Sequence, residues 1–265
     1  MSEKSGAYIE LDVVDVSAQK LLDLKARLPF DEVEALASEV ISQVAKVGSV
    51  SNADDPPQAV IAELAHTLVS KNDFAGADFI RSVRAEGTTI EDVYLKYLAA
   101  AARMLGDWWT VDRVSFAEVA IGVSRIYGIM RGLRRPTERF VVGRQKTAVF
   151  ASVPGEIHTL GVAMAADLFR DDGWDVNLRV GLPHDALIEE IEKLDCKLIG
   201  LSVSGEHSMR SLSKLVIALN IRVPAKPILV AGQSIKEVVP LIDLMGVEGV
   251  ASTIEDARTI ANTLI

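Results

Sequence analysis

From residue 31 to about 135, apolar side chains recur at steps of three and four. Val33, Leu36, Val40, Ile41 and Val44 form one stripe, and Val60, Ile61, Leu64, Leu68 and Val69 the next. A third runs through Val93, Tyr94, Tyr97, Leu98, Ala101 and Leu105, and a fourth through Phe116, Val119, Val123, Ile126, Tyr127 and Met130. This spacing paints one face of each helix, and such faces must be buried against one another, so the pattern predicts a helical bundle. Asp31 with Glu34, and Ser115 with Glu118, have the spacing of capping boxes, which mark helix starts. The prolines of Asp54–Pro57 mark a break, and Phe74–Glu86 reads as a further short helix.

Beyond residue 145 the period changes. Thr147–Val153, Asp175–Val180, Lys197–Val203, Pro227–Ala231 and Val247–Ala251 are short, nearly continuous apolar runs. Helical stretches near 158–171, 184–194, 207–220, 234–243 and 254–264 separate and follow them. Strands apolar on both sides and alternating with helices imply a parallel sheet covered on both faces. The fold class is therefore α plus α/β: a helical bundle, then a flavodoxin-like (Rossmann-like), doubly wound, five-stranded sheet. Residues 1–30 read as an N-terminal extension, 31–135 as the bundle and 145–265 as the α/β domain, with Arg134–Arg144 as linker. Such sheets bind ligands at the carboxyl ends of their strands, near the topological switch point.

Composition narrows the function classes. The 265 residues carry a net charge of −9, which speaks against a general nucleic-acid surface. The basic stretch of Arg131, Arg134, Arg135, Arg139, Arg144 and Lys146 reads as a solvated linker, or as a docking patch for an acidic partner. Cys196 is the single cysteine, so an internal disulfide and a cysteine zinc site are both excluded; it reads as a buried, inert thiol. Neither a secretory signal nor an apolar run long enough to span a bilayer is present in the sequence, and a cytoplasmic protein is expected.

The candidate chemistry lies in the loop after the first strand, Val153-Pro154-Gly155-Glu156-Ile157-His158-Thr159-Leu160-Gly161. An imidazole is a good ligand for a borderline transition metal. Its other nitrogen wants a carboxylate to fix the tautomer, which Glu156 could supply. Gly161, one helical turn on, would let a flat ligand approach without meeting a Cβ. From spacing alone, the same loop reads equally as a polar turn with a helix-capping histidine.

Glu156-x-His158-x-x-Gly161 resembles the Asp-x-His-x-x-Gly motif of cobalamin-binding domains, whose histidine takes the lower position on cobalt. The other markers of that family follow in order: Ser202-Val203-Ser204 in place of Ser-x-Leu, and Ala231-Gly232 in place of Gly-Gly. The resemblance implies that His158 ligates the metal and that Ser202 and Ser204 hydrogen-bond the buried nucleotide tail. It further implies that Gly232 leaves room for the tail and that the bundle caps the cofactor's upper face. Methyl-, adenosyl- and hydroxocobalamin all fit; haem on the same imidazole is the second reading. Leu105-Gly106-Asp107-Trp108-Trp109 resembles the Leu-Gly-x-x-Trp of such caps. Trp109 reads equally as a cofactor cover or a packing residue, while Trp108 reads as core. His66 and His184 read as ordinary surface and helix-start residues, and His207, at the ligand edge, as a helix-start residue or as a contact for the cofactor or a partner.

The wider run Pro154-Gly155-Glu156-x-His158-Thr159-Leu160-Gly161, Asp172-Gly173-Trp174 and Gly205-Glu206-His207-Ser208 resemble the AerR/PpaA-type photosynthesis antirepressors and the C-terminal sensory domain of AppA. That resemblance implies a light-responsive, non-enzymatic regulator acting on a transcriptional repressor of the PpsR/CrtJ type. Light-sensing repressors that use adenosylcobalamin carry Glu-His at a fixed distance after a tryptophan. Val119 and Ala120 stand there in this chain, which speaks against direct DNA binding. The alternative is a corrinoid methyl carrier serving a methyltransferase.

Overall fold

The computed structural model describes residues 55–134, 146–232 and 245–265, together with 235, 239 and 242. The expected stripe over 33–44, the Asp31 capping box, linker residues 135–144 and most of the helix expected near 234–243 lie outside the described residues.

Among the described residues, five α-helical segments precede the sheet: α1 (Gln58–Val69), α2 (Ala75–Ala85), α3 (Ile90–Asp92), α4 (Ala99–Thr110) and α5 (Phe116–Leu133). The Thr89 hydroxyl caps α3 by accepting from the Asp92 N–H. Ser115 and Glu118 form a complete capping box at the start of α5, each satisfying a backbone N–H that the helix leaves orphaned. The third stripe departs from the simple reading, because Val93–Leu98 make a π-helical turn joining α3 to α4. Tyr94 sits in that turn, fully buried, with its hydroxyl on the Met130 carbonyl at 3.3 Å. The bundle core gathers Leu64, Leu68, Ile80, Leu98, Leu105, Ile126 and Met130. Gly122 lets α5 approach α4, since a Cβ there would stand 2.6 Å from a Leu105 methyl.

The sheet has strands β1 (Thr147–Ser152), β2 (Asp175–Arg179), β3 (Leu198–Ser202), β4 (Ile228–Ala231) and β5 (Gly249–Ala251), all parallel, in the order β2-β1-β3-β4-β5. Alternate residues face opposite sides. Val149, Ala151, Ile199, Leu201 and Val230 pack under α7 (His184–Lys193) and α8 (Met209–Arg222). Ala148, Phe150, Leu198 and Leu229 pack with α6 (Leu160–Asp171) and α9 (Ile254–Leu264). Trp174 joins this second layer, its ring 5.3 Å from that of Phe169, and Cys196 is buried in the first. The two apolar faces expected from the continuous strand runs are both present.

The bundle core continues onto the sheet layer through Ala163, Met164 and Leu168 of α6. Polar contacts fasten the same junction. The buried carboxylate of Asp167 accepts from Tyr94 Oη (3.2 Å), Arg134 Nε (2.9 Å) and Arg170 Nη1 (2.9 Å). Arg134, expected in a solvated linker, is thereby tied to the core at the end of α5. Arg258 of α9 bridges Glu91 of α3 and Asp172 beside α6, both at 2.7 Å.

Candidate functional site

In the order β2-β1-β3, the chain leaves β1 toward one edge and β3 toward the other, so the loops after β1 and β3 border the switch point. Strand pairing runs slightly past both strands: the Val153 N–H donates to the Ser202 carbonyl and the Val203 N–H to that of Ala231. Val153-Pro154-Gly155-Glu156 then makes a tight turn, with the Glu156 N–H on the Val153 carbonyl at 3.0 Å. Pro154 supplies the constrained φ of the first turn position, and Gly155 adopts φ +86°, which a side chain would oppose.

That turn leaves Glu156 buried and its carboxylate surrounded by donors. Oε1 accepts from the His158 backbone N–H (2.9 Å) and from Nδ1 of the same residue (2.7 Å). Oε2 accepts from the Ser204 N–H (3.0 Å), the Ser204 hydroxyl (2.6 Å) and the Ser208 hydroxyl (2.7 Å). Burial disfavours the charged form, but the bonds from His158, Ser204 and Ser208 outweigh it and hold the carboxyl well below the usual range. An ionised carboxylate only accepts, so the His158 proton resides on Nδ1 and Nε2 carries the lone pair. Nε2 is buried and has no hydrogen-bond partner among the described residues. A basic, oriented imidazole nitrogen without a protein partner is what a metal centre requires of its ligand.

The expected site residues fall in several places. Glu156, His158 and Ser204 are in direct contact; Ser204 thus supports the carboxylate, with Oγ also 3.1 Å from His158 Nδ1. Ser202 ends β3 opposite Ala231 of β4. Gly232 follows Ala231, and a Cβ there would come 2.1 Å from the Val203 carbonyl oxygen, so close approach of backbone already demands a glycine. Gly161, in the first turn of α6, faces open space. Trp109 is half-buried on α4, its ring 6.2 Å from that of Phe116. Trp108 is core, overlaid by His66 at 4.4 Å and by the Arg113 guanidinium at 4.3 Å.

Two further residues join the site through the fold. Ser208 is buried in the short turn Glu206–Ser208 ahead of α8, and its type reads in sequence as an ordinary helix start. His207 places Nε2 3.3 Å from Ser204 Oγ and 3.8 Å from Glu156 Oε2. Glu156, His158 and His207 are close enough together to share an ion. The five hydrogen bonds on Glu156 instead commit its oxygens to orienting His158.

Comparison with known proteins agrees with this geometry. Residues 146–240 match the family model of the B12 binding domain. The chain is 30% identical over 141 residues to an uncharacterized 20.5 kDa protein of the bchF-crtJ intergenic region of Rhodobacter capsulatus, covering 52% of this chain and 72% of that one. The fold resembles that of the monomethylamine corrinoid protein of Methanosarcina barkeri, with a TM-score of 0.63 at 17% identity over 78% of this chain and 99% of that one. Among the described residues no helix is long and apolar enough to cross a membrane. The chain belongs to the family of that Rhodobacter protein, the cobalamin-binding proteins of the AerR/PpaA type.

Proposed function

We propose that the chain is a cobalamin-responsive, non-enzymatic regulator that acts on a transcriptional repressor of photosynthesis genes, of the PpsR/CrtJ type. The observation that carries the cofactor half of this reading is His158 Nε2, buried and without a hydrogen-bond partner among the described residues, on an imidazole whose Nδ1 is fixed by Glu156. The regulatory half is supported by the likeness to a protein encoded between bchF and crtJ.

When bound, cobalamin would supply a cobalt with an exchangeable, light-sensitive ligand. His158 would hold it through the Nε2 lone pair, with Glu156 keeping the proton on Nδ1 and raising the basicity of the ring. Ser204 and Ser208 hold Glu156 in that orientation. Ser202 and Gly232 would border the nucleotide tail, Gly161 leaves the helix start open, and Trp109 with the bundle would cover the cofactor. The Tyr127 hydroxyl, 2.8 Å from that of Thr159, connects the His158 loop to α5. Through this contact the His158 loop would pass a change in its position to the bundle, where packing between two elements can switch.

The likeness in fold to a corrinoid protein keeps a methyl-carrier role as the second reading. One experiment separates them. The purified chain is loaded with hydroxo-, methyl- or adenosylcobalamin, its absorption is recorded in the dark and after light, and repressor binding is measured in both states. A regulator gives an imidazole-bound cobalt spectrum that His158→Ala abolishes, and light-dependent repressor binding. Methyl transfer from the loaded protein to a thiol acceptor, with no effect of light on repressor binding, would overturn the regulatory reading.

A further inference from the structure

Among the described residues, two buried side-chain polar atoms have no hydrogen-bond partner: His158 Nε2 and His184 Nδ1. Buried polar groups in folded proteins are nearly always satisfied, so each exception calls for a physical reason. The first is accounted for by the proposed cobalt site. The second belongs to a residue that the sequence presents as an ordinary helix start.

Position ties the two histidines to one edge of the sheet. His184 opens α7 directly after the loop that leaves β2, and β2 pairs in parallel with β1, Ala151 opposite Arg179. Adjacent strands lie about 4.8 Å apart, so the loops after β1 and β2 are neighbours. They are also bonded, the Gly181 N–H donating to Ser152 Oγ at 3.2 Å. The loop is held in shape by Gly181 at φ +68° and by Pro183, whose carbonyl accepts from the Leu187 N–H at 2.9 Å. The loop that leads to His184 therefore neighbours the end of β1, from which the His158 loop departs.

We infer that His184 is a second contact for the same ligand, its Nδ1 accepting a hydrogen bond from a peripheral carboxamide N–H of the corrin ring. This rests on the cobalt-binding reading proposed above. A neutral imidazole with its proton on Nε2 leaves Nδ1 as an acceptor. The rim of a corrin carries primary carboxamides, which are donors, whereas the rim of haem carries carboxylates, which only accept. In that tautomer Nδ1 suits the amide-armed ring and not the carboxylate-armed one.

The test compares the wild-type chain with His184→Ala and His184→Asn at pH 8. Hydroxocobalamin affinity is read by absorption titration, alongside thermal melting of the cofactor-free proteins. The alanine variant is expected to bind about two- to tenfold more weakly, the span of one net hydrogen bond. It should keep the His158-dependent spectrum and the wild-type melting temperature. Asparagine, which can place its amide oxygen near the lost Nδ1, should restore most of the affinity. Equal Kd values for wild type and His184→Ala would overturn this inference while leaving the cobalt site intact. So would a loss that follows a lowered melting temperature and that asparagine does not rescue. Failure of the wild-type chain to bind hydroxocobalamin would instead sink the cobalt reading itself.

Discussion

The hydroxyls of Tyr127 and Thr159 lie 2.8 Å apart, so the bundle touches the sheet domain one residue past His158. Arg134, seven residues further on and just past α5, meets Asp167, which lies in α6 eight residues beyond Thr159. The two helices are thus clasped at two points, by a buried carboxylate with three donors at one and a hydroxyl pair at the other. Removing the weaker clasp should loosen the end beside His158. For Tyr127→Phe we expect a loss of about 0.5–1.5 kcal/mol and faster amide exchange at residues 156–160, with the α1–α4 core unchanged. Wild-type exchange in that loop would show that the hydroxyl pair couples nothing.

Glu156 presents five donors with a charged acceptor, and glutamine offers one oxygen and one N–H2 in its place. Glu156→Gln should therefore cost about 1–3 kcal/mol through donors left facing an N–H2 group. It should also release the His158 tautomer, weakening the imidazole-bound cobalt signal. Chemical denaturation and cobalamin absorption of the same variant check both; full retention of the signal would show that the carboxylate does not orient the ring.

Gly232 separates packing from ligand accommodation. A methyl group placed there meets the Val203 carbonyl, a backbone atom that cannot swing aside. Gly232→Ala should destabilise the cofactor-free protein by about 1–3 kcal/mol. A variant that melts like wild type without cofactor, yet binds cobalamin poorly, would assign the glycine to the ligand alone.

Tyr94 gives the junction an alkaline limit. Burial, then the Asp167 charge beside it, raises the phenol well above its ordinary value of 10.0. A raised value in the folded state means stability that is fully present below pH 10 and lost as pH climbs toward the folded value. Melting temperatures between pH 8 and 11.5 should fall more steeply for the wild type than for Tyr94→Phe. Parallel curves would show that the phenol does not govern the alkaline loss.

Much of this architecture is visible along the chain because its cause is local. A helix buries residues three and four apart, and the stripes through Leu64, Leu98 and Ile126 state that directly. Strands covered on both faces need nearly continuous apolar runs, and TAVFAS and LIGLS supply them. Glu156 and His158 are two residues apart, so their pairing too can be read from the loop. The π-helical turn at Val93–Leu98 is different: it keeps nearly the same apolar spacing as an α-helix, and the stripe does not distinguish the two.

By itself, then, the sequence determined the two kinds of domain, the strands and the loop bearing His158, since period and short spacing express local backbone geometry. Only the folded chain decided that Ser208, 52 positions away, bonds Glu156, that Asp167 gathers Tyr94 and Arg134, and that His184 Nδ1 is left without a partner among the described residues. Those relationships depend on which strands neighbour one another and which loops meet at their ends. Strand order is set by the packing of the whole sheet, and no local period encodes it.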